Sequence, residues 1–94
     1  MRKFGTDAPE FMEFTLGDDE TVHRLPLAAS MPMQTLIEMQ EASAKGSAAT
    51  LKYQMGLLRR YIGDVADELK AEDFRAIFDA WAVESAKQGA TAGE

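Results

Sequence analysis

Phe74-Arg75-Ala76-Ile77-Phe78-Asp79-Ala80-Trp81 decides how this chain has to fold. Phe74, Ile77, Phe78 and Trp81 stand at i, i+3, i+4 and i+7, which is one face of an α-helix. Trp81 is the single tryptophan. Soon afterwards the chain turns to Gly89-Ala90-Thr91-Ala92-Gly93-Glu94, a run of mostly small residues. An amphipathic stripe followed by such a run marks a packing element, and a packing element needs a core to sit on. The spacing predicts a helix over 72–87. Glu72 and Asp73 suit the positive end of its backbone dipole, Lys87 suits the negative end, and Gly89 suits a C-cap.

Working back along the chain, Leu51, Met55, Leu58, Ile62 and Val65 mark one side of a helix over 48–69. Gly56 and Gly63 weaken that helix by up to ~1 kcal/mol each relative to alanine. Gly63 marks a kink, a break or a close approach. Gly46-Ser47 separates this helix from another over 31–45, where Ser30 is the expected N-cap and Pro32 sits near the start. Met33, Leu36, Ile37 and Gln40 follow there at helical spacing. Upstream the period changes to two. Met12, Phe14 and Leu16 alternate with Glu13 and Thr15, and Leu25 and Leu27 share a phase with Arg24 opposite. Gly17-Asp18-Asp19-Glu20 between the runs reads as the turn of a β-hairpin over 11–27. Pro26 has no N–H to give a ladder, so it ends the second strand or lies on an edge. A lone hairpin is marginal in water, so this one must pack on the helices. The expected fold class is α+β, mostly α: an N-terminal hairpin on about three helices. One domain over 11–88 is expected between a flexible arm over 1–10 and a flexible tail over 89–94.

Composition narrows the function classes. Ninety-four residues fit one small domain, and 46% hydrophobic content is too high for a wholly disordered chain. There is no cysteine, which removes disulfide staples and thiolate metal sites. No apolar run reaches the ~20 residues of a membrane span, and no hydrophobic signal core follows Met1-Arg2-Lys3. A soluble cytoplasmic protein is expected, with neither membrane nor nucleic acid as partner. The net charge of −6 would repel phosphate backbones. The acids are spread out, eight in residues 1–47 and eight in residues 48–94, so there is no acidic tail.

Chemistry-bearing residues are few. His23, the only histidine, shares a strand phase with Leu25 and Leu27 and has no nucleophile motif to serve; a surface or partly packed histidine is the better reading. Asp18, Asp19 and Glu20 lack the alternating twelve-residue spacing of a calcium loop and read as solvated turn acids. Arg59 and Arg60 could meet an acidic partner, but pairing with a neighbouring acid such as Asp64 is favoured. No catalytic, metal or cofactor set is visible, so no enzyme is expected. Candidate partner-binding residues are Met33, Met39, Tyr53 and Trp81. Methionine fills cores and also lines adaptable surfaces. Core filling is favoured for Met33, whereas Met39 and Tyr53 lie off their helices' apolar lines. Trp81 is core on its stripe or an anchor for a partner.

Three stretches together resemble a known family. They are Phe14-Thr15-Leu16-Gly17-Asp18-Asp19-Glu20-Thr21 leading into Leu25-Pro26-Leu27, a motif-free helical centre, and Phe74 to Trp81 with the small-residue tail. The pattern resembles the tail assembly chaperones of long-tailed bacteriophages, especially those of actinobacterial phages. The resemblance implies a non-enzymatic chaperone in the host cytoplasm that is absent from the mature virion. Its partners would be the tape-measure protein and the tail-tube protein. It further implies a programmed frameshift giving a longer form, with the tail after Trp81 as linker. Repeated weak contacts along a long client would add up through avidity, so self-association along the client is expected. The alternatives are a small helical adaptor that binds one protein partner and a minor virion structural protein.

Overall fold

A computed structural model describes the backbone of residues 9–92 and the side chains of residues 9–87. Alternation in the first third of the chain produces two antiparallel strands, β1 (Phe11–Leu16) and β2 (Asp19–Pro26). Met12 stands opposite Leu25 and Phe14 opposite His23 on the face turned to the core. Glu13 stands opposite Arg24 on the outer face, where the two form an ion pair at 3.2 Å. The turn is tighter than the four residues expected. Leu16 already pairs with Asp19, so Gly17-Asp18 alone makes the bend, and the ladder is irregular between Phe14 and Leu16. Gly17 has φ 55° at the first turn position and no positive φ follows at Asp18, the pattern of a type II′ hairpin. Asp19 Oδ1 closes the bend by accepting the Thr21 N–H at 2.9 Å and the Thr21 hydroxyl at 2.8 Å.

Pro26 ends β2, and a short 3-10 turn, Ala28–Ser30, leads to α1 (Met33–Lys45). Ser30 is not the N-cap. Pro32 holds that position, and the Ser30 hydroxyl instead accepts the Glu10 N–H at 2.9 Å. This bond ties the start of β1 to the exit of the hairpin. The remaining helices are α2 (Ser47–Ile62) and α3 (Ala71–Ala92), with a 3-10 segment, Gly63–Glu68, between them. The expected helix over 48–69 therefore breaks at Gly63. Gly46 and Gly63 have φ 117° and 80° with nearly extended ψ, a conformation open to glycine alone. Both sit at helix ends and set the chain's direction changes. Helical backbone runs past Gly89 to Ala92, so Gly89 is not the C-cap. The arm expected over 1–10 lies outside the described residues up to position 8, and the tail expected over 89–94 lies outside them at 93–94 and in its side chains.

The core joins all these elements. Leu25 from β2, Met31, Leu57 and Leu58 from α2, Ala66, and Ile77 and Phe78 from α3 form one buried cluster. Leu25 and Leu58 are fully enclosed, each contributing about 1.5–3 kcal/mol of burial. The 74–81 stripe packs as its spacing demands: Phe78 lies 5.0 Å from Phe74 and 6.3 Å, edge-on, from Trp81 by ring centroids. Arg59 and Arg60 do not form the expected i+4 pair with Asp64. Arg59 reaches across the break to Asp67, with Nε at 3.2 Å, and this contact holds its guanidinium above its ordinary pKa.

Two tests follow from the backbone and the turn. Gly56 is exposed in mid-α2, and an added Cβ would touch nothing within 4 Å. Gly56→Ala will stabilise the fold by about 0.5–1 kcal/mol, while Gly63→Ala will cost about 1–3 kcal/mol, both read from urea midpoints at constant m. Asp19 accepts two hydrogen bonds as an anion, chiefly from the Thr21 N–H, and its carboxyl is held below its ordinary 3.8. A depressed carboxylate supports the fold above its unfolded pKa and loses that support as pH falls through the folded value. Carboxyl NMR will place the Asp19 midpoint under 3.8; a midpoint at or above 3.8 would show the turn open.

Candidate interaction surfaces

The four candidate partner-binding residues do not come together. Met33 is 68% exposed, which corrects the expectation that it fills the core. It opens α1 on the same side as Ile37, one turn later and 40% exposed. The buried side of α1 carries Thr35 and Ala42 instead, with Leu36 and Met39 packed against the core. The helix is thus rolled by about one residue from the face that its largest side chains suggest. Small residues let α1 approach α2 closely, and that geometry turns Met33 and Ile37 outward.

Met39 and Tyr53 belong to the packing between α1 and α2. The Tyr53 hydroxyl donates to the Thr35 carbonyl at 3.2 Å and lies 3.1 Å from Glu38 Oε1. Burial first, and the Glu38 carboxylate second, push its pKa above the usual 10 and keep it a donor. Leu51, expected on the inner side of α2, is 49% exposed because the inner face runs through Tyr53, Leu57, Leu58 and Tyr61.

Trp81 is half-buried and is held by its polar edge. Its Nε1–H donates to the Pro26 carbonyl at 2.8 Å. One turn later Ser85 Oγ accepts the Ala28 N–H at 3.1 Å. Together these bonds pin α3 to the exit of the hairpin. Within the chain the indole acts as an anchor, docking α3 through the Pro26 carbonyl and its edge-on contact with Phe78. His23 is partly packed, its ring 5.7 Å from that of Phe14. Its Nε2 is screened from solvent and has no hydrogen-bond partner among the described residues. Asp18 is exposed in the turn and Asp19 and Glu20 are exposed at the start of β2, and among the described residues no group of three or more His, Cys, Asp or Glu side chains is placed to hold a metal ion.

A feature that hydrophobic periodicity did not reveal is a groove between β1 and α3. One part, about 490 Å³, is lined by the consecutive residues Phe11 to Thr15 and, from α3, by Ala76, Ile77, Ala80 and Glu84. A second part, about 560 Å³, shares Thr15, Ala76 and Ile77 with the first and runs on towards Val65, Leu69 and Lys70. The small side chains of Ala76 and Ala80 beside Ile77 are its sequence trace, since they leave room next to the strand.

No family model, curated protein or solved structure matches the chain. Among the described residues no helix is long and apolar enough to cross a membrane.

Because the indole N–H satisfies a main-chain carbonyl, Trp81→Phe will remove a hydrogen bond while keeping most of the ring packing. The expected loss is about 1–2 kcal/mol in urea unfolding followed by far-UV circular dichroism. A loss below 0.5 kcal/mol, on the order of a neutral surface change, would mean that Trp81 does not fasten α3.

Proposed function

We propose that this protein is a non-enzymatic tail assembly chaperone of a long-tailed bacteriophage, binding the tape-measure protein in the host cytoplasm and promoting tail-tube assembly. The observation that carries the reading is the outward-facing pair Met33 and Ile37 on α1, an apolar couple one helical turn apart on a domain of net charge −6. Such a pair offers a client helix or apolar stretch a foothold. The surrounding negative charge favours solubility of the complex. The resemblance of the Phe14–Thr21 and Phe74–Trp81 stretches to tail assembly chaperones supplies the identity of the client. A frameshifted longer form is part of the same proposal, and a slippery heptamer in the gene is its direct test.

Co-expression with the neighbouring tape-measure protein will raise the soluble share of that protein several-fold. The double variant Met33→Asp with Ile37→Asp will abolish the gain while leaving Trp81 emission unchanged. An equal soluble share with and without the chain would overturn the chaperone role. Recovery of the chain from purified particles would instead identify a minor virion structural protein.

A further inference from the structure

We propose that the groove between β1 and α3 takes an extended peptide of alternating apolar and basic residues, which adds to the free edge of β1 as a third strand. Among the described residues the sheet has two strands, and β1 has a neighbour on one side only. Its hydrogen-bonding phase follows from the register. The Leu27 N–H donates to the Glu10 carbonyl at 3.0 Å, which makes Glu10 and Leu27 a hydrogen-bonded pair. Pairs alternate along an antiparallel ladder. Met12 with Leu25 and Phe14 with His23 are therefore hydrogen-bonded pairs, while Phe11 with Pro26 and Glu13 with Arg24 are not. Pro26 agrees with this phase, since it has no N–H and stands where none is used. The N–H and C=O groups of Phe11 and Glu13 consequently point away from β2.

Those groups meet the groove. Its wall on the strand side consists of five consecutive residues, Phe11 to Thr15, which belong to both faces of the strand. Residues of alternating direction line one cavity together only where the strand presents its edge. The unpaired main-chain groups select an extended partner, because only an extended chain repeats donors and acceptors at their spacing. Ile77, Ala76 and Ala80 line the far side and suit apolar side chains from alternate positions of the incoming strand.

The remaining positions would lie on the side of Glu13. Across both parts of the groove the lining carries Glu13 and Glu84, then Asp19, Glu68 and Asp73, against Lys70 as the one base. Glu13 pairs with Arg24 and Glu84 with Lys87, but both pairs are solvent-exposed and screened. A basic residue opposite Glu13 gains a cross-strand partner. A second copy of this chain would bring its own Glu13 and its own net charge of −6 to the same edge, which disfavours self-pairing there. The inference holds whichever protein supplies the strand, and it does not depend on the chaperone reading.

The test uses the whole chain, labelled with nitrogen-15, and capped seven-residue peptides of three kinds. One alternates valine and lysine and one alternates valine and glutamate. The third is the valine–lysine peptide N-methylated at every second residue, made in both phases. The valine–lysine peptide will shift the amide signals of Phe11, Glu13, Thr15, Ala76 and Ala80 and will slow hydrogen exchange at Phe11 and Glu13. The valine–glutamate peptide will bind at least tenfold more weakly, and one phase of the methylated peptide will lose binding while the other keeps it. Ala80→Arg, at an exposed position, will weaken the valine–lysine peptide about tenfold with Trp81 emission unchanged. Binding in both methylated phases would overturn strand addition, and equal binding of the acidic peptide would overturn the charge selection. No shift at millimolar valine–lysine peptide would overturn the site. Concentration-dependent shifts of the same amides without peptide would assign the edge to a second copy.

Discussion

The bond from the Trp81 indole to the Pro26 carbonyl holds the two ends of this fold together. β2 and α3 are far apart in sequence, and between them the chain passes through two helices and two 3-10 segments. The hairpin cannot stand alone, and α3 has its apolar stripe to bury. Each needs the other, and the Leu25–Ser30 stretch is where they meet. Leu25 enters the core, Pro26 and Ala28 hold Trp81 and Ser85, and Ser30 takes the Glu10 N–H. Proline at position 26 serves all of this. It gives up no ladder bond because it stands in a non-hydrogen-bonded pair, and its carbonyl is left for the indole.

Fastening α3 at that end has a consequence for its other contacts. α3 touches the Ala28–Ser30 turn, and its path beside β1 leaves the groove lined by Ala76 and Ala80. Two larger side chains at those positions would have closed the gap. The same helix therefore completes the core through Ile77 and Phe78 and, among the described residues, leaves a strand edge uncovered. An edge strand left open invites unwanted pairing, and natural proteins blunt such edges with charge. Glu13 at the middle of β1 and the acids further along serve that purpose here. They discriminate against another acidic chain while leaving a basic one free to approach.

Much of the architecture was legible because periodicity reports directly on it. The alternation from Met12 to Leu16 and the stripe from Phe74 to Trp81 each have one geometric solution, and Gly46 and Gly63 mark both helix junctions. Faces were less legible than elements. In α1 two large apolar residues, Met33 and Ile37, lie outside, whereas Thr35 and Ala42 lie inside with Leu36 and Met39 packed on the core. Hydrophobicity ranks side chains by their gain on burial, whereas helix contact also rewards small residues that let backbones approach. Tyr53 adds a constraint of its own, because its hydroxyl needs the Thr35 carbonyl and draws that side of α1 inward. The turn was misjudged for a related reason: a glycine and three acids in a row hide the fact that Asp19 is already paired with Leu16. Of the four candidate contact residues, three are engaged in holding the fold and Met33 faces outward. The groove had no periodic signature, since it arises from the placement of α3 relative to β1.

The two outward features differ in what they demand of a partner. Met33 and Ile37 present shape and hydrophobicity, which many sequences satisfy and which confer little direction. The edge of β1 presents hydrogen-bonding groups at fixed spacing, which demand an extended backbone in one of two phases and say little about side chains. Selectivity at that edge must therefore come from the lining, where apolar Ile77 faces alternate positions and the acidic rim faces the others. A domain of 94 residues has too little interior to hide all its apolar side chains. Single exposed hydrophobics such as Val22 and Val83 are the ordinary result and call for no partner. What separates the β1 edge from them is that its groups without a partner among the described residues are main-chain donors and acceptors in a recess, a requirement that strand addition from another chain meets at every second residue.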